Sequence, residues 1–344
     1  MLLPLTTEPR ESQIRDIREV SSDTRNFVFL TNQRLIMEQN TKFSVVAALW
    51  KADKKQYVKK STYAAYCLLI QSHLLPELGD REDVQEEDVQ DLVNRKLAAG
   101  LSQKTVRDIL VVLKMILRYG AKHGLTPAHQ IDVIFPTERE KNDIEVLTLA
   151  NQRQLMTYVK EHFTFLNLGI FICLNAGLRI GEVCALQWDD MDVVSGVIRV
   201  NKTIQRIYLV DGEEKYTELI VDKPKTKNSI REVPMTRDLL ALVRPLKKIV
   251  RGDFYVLTNA AIPTEPRTYR CYFNKLQQQL GLPKMRFHGL RHSFATRCIE
   301  SKCDYKTVSV LLGHSNISTT LNLYVHPNLE QKRKCIDTMG KLLK

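Results

Sequence analysis

The sequence predicts an α-helical N-terminal domain followed by a mixed α+β domain, mainly helical with a small antiparallel sheet. Three observations lead there. The chain has 344 residues, more than one ordinary domain uses and enough for two or three. Apolar residues recur at helical spacing from Thr41 to Gly124, whereas four β-rich runs follow Trp188. Hydrophobic residues make up 44% of the chain, enough to fill two cores, and no internal repeat is present.

The elements follow in order. Residues 1–40 are weakly periodic and slightly acidic, and are read as an N-terminal extension. In 41–125, Phe43, Val46, Ala47 and Trp50 line one helix, and Tyr63, Tyr66, Cys67 and Ile70 a second, with Pro76 and Gly79 as punctuation. Gln85–Leu97 forms a third helix, its Glu86, Glu87 and Asp88 suited to a helix N-terminus. Ser102 caps the fourth, which buries Val106, Ile109, Leu110, Leu113, Ile116 and Leu117. Pro127, Pro136 and the charged run 138–143 mark 126–147 as a linker. The second domain, 148–326, opens with helices at Asn151–His162 and Leu166–Asn175. Strands are expected at Val197–Val200, Ile204–Val210, Tyr216–Val221 and Ile230–Val233, with Asp211-Gly212 as a hairpin turn. Helices resume at Asp238 and at Arg267–Leu280, and 327–344 is a tail.

Charge narrows the function classes. The net charge is +12, and residues 258–344 hold 14 Lys and Arg against 5 Asp and Glu. A second basic segment, 41–80, carries Lys51, Lys54, Lys55, Lys59 and Lys60. Two separated basic segments suit a protein that grips a long polyanion from two sides. No run approaches 18 apolar residues and no leader pattern is present, so neither a membrane span nor secretion is expected. Seven cysteines, odd in number and set in apolar runs, fit free thiols in a reducing cytoplasm. Their spacing with histidine suits no zinc site, and no metal or other cofactor is expected.

Three clusters carry chemistry. In Ala176-Gly177-Leu178-Arg179-Ile180-Gly181-Glu182, Gly177 permits a tight turn and Arg179 opens a helix, well placed for a phosphate oxygen. The plain alternative is a surface ion pair with Glu182. In His288-Gly289-Leu290-Arg291-His292-Ser293, His288 and Arg291 share a helix face, and His292 points elsewhere. Such a pair is also common on a solvated face. In Leu311-Leu312-Gly313-His314-Ser315-Asn316, Gly313 ends one helix and Ser315 or Asn316 caps the next, which reaches Tyr324. A lone tyrosine there is ordinarily packing. Asp189, Asp190 and Asp192 read as turn caps rather than metal ligands.

Taken together, these clusters resemble the motif boxes of the tyrosine recombinases, the phage and transposon integrases. Ala-Gly-Leu-Arg-x-Gly-Glu, His-x-Leu-Arg-His-Ser-Phe-Ala-Thr and Leu-Leu-Gly-His-Ser-x-Ile-Ser-Thr-Thr occur in the family's order, and Tyr324 follows His314 by ten residues. Pro224-Lys225-Thr226-Lys227-Asn228-Ser229-Ile230-Arg231-Glu232-Val233-Pro234 is similar to the family's lysine-bearing β-hairpin. The likeness covers roughly residues 145–326, and 41–125 by helical pattern only.

The resemblance implies a metal-independent, site-specific recombinase that cleaves and rejoins DNA through a 3′-phosphotyrosyl intermediate. Its catalytic residues would be Arg179, Lys225, His288, Arg291, His314 and Tyr324. A tyrosine hydroxyl, with an ordinary pKa of about 10, becomes an effective nucleophile only among such cations and donors. Lys225 would protonate the leaving 5′ oxygen, although Lys223 and Lys227 lie on the same strand face. Glu182 would orient its neighbours. Lys51, Lys54, Lys55, Lys59 and Lys60 would contact DNA. The partner is double-stranded DNA, gripped by the two domains as a clamp. Four protomers would assemble on two sites, each monomeric when free, with DNA-bending accessory factors as further partners. The tail, with Leu329, Ile336, Met339, Leu342 and Leu343 apolar, would dock on a neighbouring protomer or fold back on its own domain. Integration and excision of a mobile element is the favoured outcome, with chromosome-dimer resolution as the alternative, in a cytoplasmic, nucleoid-associated setting. From other classes, a non-cutting DNA-binding regulator and a swivelling topoisomerase compete.

Overall fold

The computed structural model describes residues 41–137, 145–211, 214–224 and 227–324, with scattered positions between 333 and 341. The extension 1–40 and most of the 327–344 tail, with the docking expected of it, lie outside the described residues. The chain divides into two compact units: the first runs to residue 140 and also takes in 208–216 from the tip of a later β-hairpin, and the second takes in 141–207 and 217 onward.

In the first unit, α1 (Phe43–Lys54) buries Phe43, Val46, Ala47 and Trp50 along one stripe. Helix α2 (Lys60–Leu69) does not stop before Pro76. It passes through a π-helical segment, Ile70–Leu74, into the short α3 (Leu75–Leu78). Pro76 lies inside this continuous run, directly after the widened π turn, and the run ends at Gly79. Helix α4 (Glu86–Ala98) begins with its three acidic residues, and Asp88 accepts the Gln85 N–H at 3.2 Å. Ser102 caps α5 (Gln103–Lys122), its Oγ accepting from the Thr105 N–H at 3.1 Å. The expected face of α5 is buried, with Leu117 only partly so.

The stretch read as a linker is shorter than expected. Residues 126–137 lie as an extended strap on the helices, where Ile131, Val133 and Phe135 pack against the core at a spacing of two. Lys114 donates to the Ile131 carbonyl at 2.7 Å, and the Gln90 side chain pairs with both backbone groups of Ile134. The Arg107 guanidinium covers the Phe135 ring at 4.1 Å.

The second unit is built around α7 (Phe165–Ala176), buried on nearly every side from Asn167 to Ala176. Helix α6 (Leu149–Glu161) packs on it, as does α11 (His288–Glu300). Helix α8 (Ile180–Ala185) follows at once. Strands β1 (Met191–Asp192), β2 (Val197–Val200) and β5 (Arg231–Pro234) form one antiparallel sheet in the order β1-β2-β5, with Ile198 opposite Val233 and Val200 opposite Arg231. Strands β3 (Thr203–Asp211) and β4 (Glu214–Asp222) pair separately. So the single sheet expected is two. Asn201 and Lys202 separate β2 from β3, and both side chains bind Asp190. Helices α9 (Arg237–Lys247), α10 (Pro266–Gln279), α12 (Tyr305–Leu312) and α13 (Ile317–Tyr324) complete the unit. Among the described residues no helix is long and apolar enough to cross a membrane.

Candidate active site

Helix α7 ends at Gly177, whose φ of +63° suits glycine; a Cβ there would also stand 2.4 Å from Phe294 Cδ1. The turn presents Arg179 at the N-cap of α8. There one carboxylate, Glu182, accepts both the Arg179 backbone N–H at 2.9 Å and its guanidinium at 2.7 Å. The Glu182 side chain is 3% exposed and that of Arg179 34%, so the pair joins a buried anchor to an open cation.

Strand β5 supplies the second cation. Its side chains alternate, and the inward positions are Arg231 and Val233. Arg231 meets Glu182 with both terminal nitrogens, at 3.1 and 2.9 Å, in the bidentate arrangement that suits a guanidinium and a carboxylate. Its Nε donates to the Leu311 carbonyl at 2.6 Å. Arg291, on α11, is 1% exposed and donates to the carbonyls of Gly177 and Leu312. Arg179 reaches the Gly313 carbonyl at 3.3 Å.

Three successive carbonyls, those of Leu311, Leu312 and Gly313, thus each accept from a different arginine. The end of a helix leaves its last carbonyls without intrahelical partners and carries partial negative charge, so cations stabilise it. Gly313, at φ +64°, closes α12, and a Cβ there would meet the Asn228 carbonyl at 2.8 Å. The next residue is His314. Its Nδ1 pairs with the buried Thr320 hydroxyl at 2.8 Å.

The electrostatics follow from this crowding. Burial alone would raise Glu182, but hydrogen bonds and charge from Arg231, then Arg179, hold its carboxyl down at about 2. Burial, then Arg291, Arg179 and Arg231, push His314 down to about 4. His288 falls to about 4 as well, through burial, then His292, Arg291 and Arg179. His292 does not point away, because its ring meets that of His288 edge-on at 4.7 Å. Both are on α11, one helical turn apart, which the spacing allows.

The expected residues fall into groups. Arg179, Arg291, His288 and His314 come together. Lys225 lies outside the described residues, as does the side chain of Tyr324, the last residue of α13. Lys51 and Lys54 lie on α1, Lys55 and Lys59 between it and α2, and Lys60 at the first position of α2. Lys54 borders a hollow of about 410 Å³ with Trp50, Arg118, Lys122 and His123, which brings in two cations of α5 that periodicity did not single out. A second hollow of about 620 Å³ runs beside His288 and is lined by Arg270, Asn274, Lys284 and Arg286. Asp189, Asp190 and Asp192 have separate partners, Lys247, Lys202 and Arg199. The residue that sequence reasoning passed over is Arg231. An arginine on a strand with alternating burial pattern was the available signal.

Comparison with known proteins bears on all of this. Residues 145–331 match the phage integrase family, and residues 42–97 match the N-terminal SAM-like domain of phage integrases. A XerC-like tyrosine recombinase of Caldanaerobacter subterraneus subsp. tengcongensis is 30% identical over 74% of this chain and 70% of its own length. The ICEBs1 integrase of Bacillus subtilis is 24% identical over 98% of this chain and 93% of its own. Among solved structures, the Tn1549 transposon integrase in complex with a circular intermediate DNA superposes with a TM-score of 0.70, at 23% identity over 87% of this chain and 99% of that one. A lambda integrase tetramer bound to a Holliday junction gives 0.62, at 18% identity over 93% and 88%.

Proposed function

The chain belongs to the phage integrase family and is a tyrosine-type site-specific recombinase, and from that premise we propose roles for the residues of its site. It cleaves and rejoins DNA strands, and relatives named as an integrase and as a transposase of transposon Tn916 support integration and excision of a mobile element. Tyr324 attacks the scissile phosphate, forms a 3′-phosphotyrosyl link and leaves a free 5′ hydroxyl. The five-coordinate phosphorus carries extra negative charge, which Arg179 meets from the open side and Arg291 from beneath. Preorganised donors of this kind contribute about 3 kcal/mol each in mutational terms.

His288 and His314, held near 4, are neutral at pH 7 and act as hydrogen-bond partners rather than cations. We assign the Thr320 hydroxyl as the donor to His314 Nδ1, which leaves the hydrogen on Nε2 to be donated to a phosphate oxygen. Lys225 protonates the leaving 5′ oxygen. Side-chain cations balance the charge, so no divalent ion takes part. DNA is the partner; Lys51, Lys54, Lys55, Lys59 and Lys60 hold its phosphates, and four protomers act on two sites. The observation that carries this reading is the Leu311–Gly313 turn, held by three arginines directly before His314.

Trapping on a nicked suicide substrate in excess EDTA tests it. Wild type should give a protein–DNA adduct that Tyr324→Phe does not form while binding normally. An equal adduct from Tyr324→Phe, or none from wild type until metal is added, would refute the reading.

A further inference from the structure

Helix α11, which carries His288 and Arg291, ends in an unusual place for two cysteines. Lys302 takes a left-handed φ of +61° although it is not glycine. Its N–H donates to the Ile299 carbonyl at 2.9 Å, and the Cys303 N–H donates to the Cys298 carbonyl at 3.0 Å. These two bonds define the Schellman turn, which brings the side chain three places inside the helix end against the second one beyond it. In most such turns both side chains are apolar. Here both are thiols, one just inside the helix end and one just beyond it. Cys298 packs beside Phe294, Val308 and Leu312, whereas Cys303 is exposed.

We propose that Cys298 and Cys303 form a dithiol site that closes to an intramolecular disulfide by exchange with a small-molecule disulfide, and that closure slows DNA cleavage. The proposal rests, in its second half, on the site described above. Burial, then Cys303, pushes Cys298 up to about 11, so the exposed Cys303 is the attacking thiol and Cys298 the resolving one. The Cys303 thiolate attacks one sulfur of the small disulfide, forming a mixed disulfide and releasing one thiolate. Cys298 then gives its proton to solvent and attacks the Cys303 sulfur, releasing the second. Two protein thiols are oxidised, and the small disulfide is reduced to two thiols. In a reducing compartment the open form dominates and closure is transient.

The coupling to cleavage is mechanical. A covalent bond is shorter than the separation of two unbonded sulfurs, so closure tightens the turn and perturbs Cys298 where it packs on Phe294, Val308 and Leu312. That cluster supports the end of α12, whose Leu311 and Leu312 carbonyls hold Arg231 and Arg291. A small displacement of a preorganised site is enough to cost rate.

Full-length protein treated with glutathione disulfide, alkylated and digested with trypsin without reduction gives a direct reading. Cleavage after Arg297, Lys302 and Lys306 puts the two cysteines on separate short peptides, 298–302 and 303–306. They should appear joined. Cys303 recovered as a glutathione adduct with Cys298 alkylated, as an isolated exposed thiol such as Cys271 would give, overturns the site. Suicide-substrate cleavage by the oxidised protein should be slower by about threefold to tenfold. Dithiothreitol should restore it, and Cys303→Ser should be insensitive throughout. A joined pair with unchanged cleavage overturns the coupling. The peptide map needs no cleavage activity, so it stands apart from any failure of the tyrosine assignment.

Discussion

Two basic regions of this chain use the same charge in opposite ways. The lysines between Lys51 and Lys60 lie on α1, on α2 or between them, in half-buried or exposed positions. Around α12, by contrast, Arg231 and Arg291 are 8% and 1% exposed and are tied to Glu182 and to backbone carbonyls. Solvated cations attract a polyanion at long range and cost the fold little, but they do not hold a fixed geometry. Buried ones hold geometry only while every partner is present, since removing one leaves a charge stranded in low dielectric. Grip and chemistry therefore call for different kinds of cation.

Stability should separate the regions most sharply. Glu182→Gln leaves Arg231 buried beside a neutral amide and should lose about 3–5 kcal/mol in denaturant unfolding at pH 7. The same pair should make the parent acid-sensitive. With an ordinary value of 4.5 and a folded value of about 2, Glu182 contributes its share above pH 4.5 and loses it as pH falls toward 2, about 3 kcal/mol in all. Glu182→Gln should lack that component, and a variant as stable as its parent would break the comparison.

The histidines sharpen it further. Because His288 and His314 are held near 4, single-turnover cleavage should show no step near pH 6.5 and should decline only toward pH 4, where the rings take up protons. A step of tenfold per unit centred near 6.5 would mean that one ring works as an ordinary, solvated histidine.

The smallest effects belong to the helical unit. Lys54→Ala with Lys55→Ala should change unfolding free energy by no more than about 0.5 kcal/mol. It should weaken DNA binding equally across sequences and reduce the salt slope by about 1 for each phosphate that is no longer neutralised. An unchanged slope would remove these lysines from the interface.

Much of this contrast was legible in the sequence. The helical unit announced itself through local periodicity, as Val106, Ile109, Leu113 and Ile116 show, because a helix buries one stripe whatever its neighbours do. Its strap was legible too, in Ile131, Val133 and Phe135, but Pro127 and Pro136 drew the reading toward a linker. The π segment before Pro76 left no mark in spacing, because one widened turn barely shifts the stripe. In the second unit, Arg179, His288, Arg291 and His314 stood out only through their combined motifs. Arg231 did not, since its role depends on partners 49 and 80 residues away along the chain. Non-local hydrogen bonds of that kind have no local signature. The inward placement of Arg231 on β5 and the position of Glu182 opposite it emerge only in the fold.

Arg231 is therefore where the account is most exposed. Arg231→Gln removes the bidentate hold on Glu182 and the bond to the Leu311 carbonyl, while Arg179, Arg291 and both histidines stay in the chain. Single-turnover cleavage of a suicide substrate at saturating protein, with DNA affinity measured in parallel, isolates its effect. The expected result is a rate about 100-fold lower, the cost of misplacing catalytic groups by an ångström or so, with affinity within about twofold of wild type. Cleavage at the wild-type rate by a folded Arg231→Gln protein would contradict the claim that the three-arginine turn organises the site.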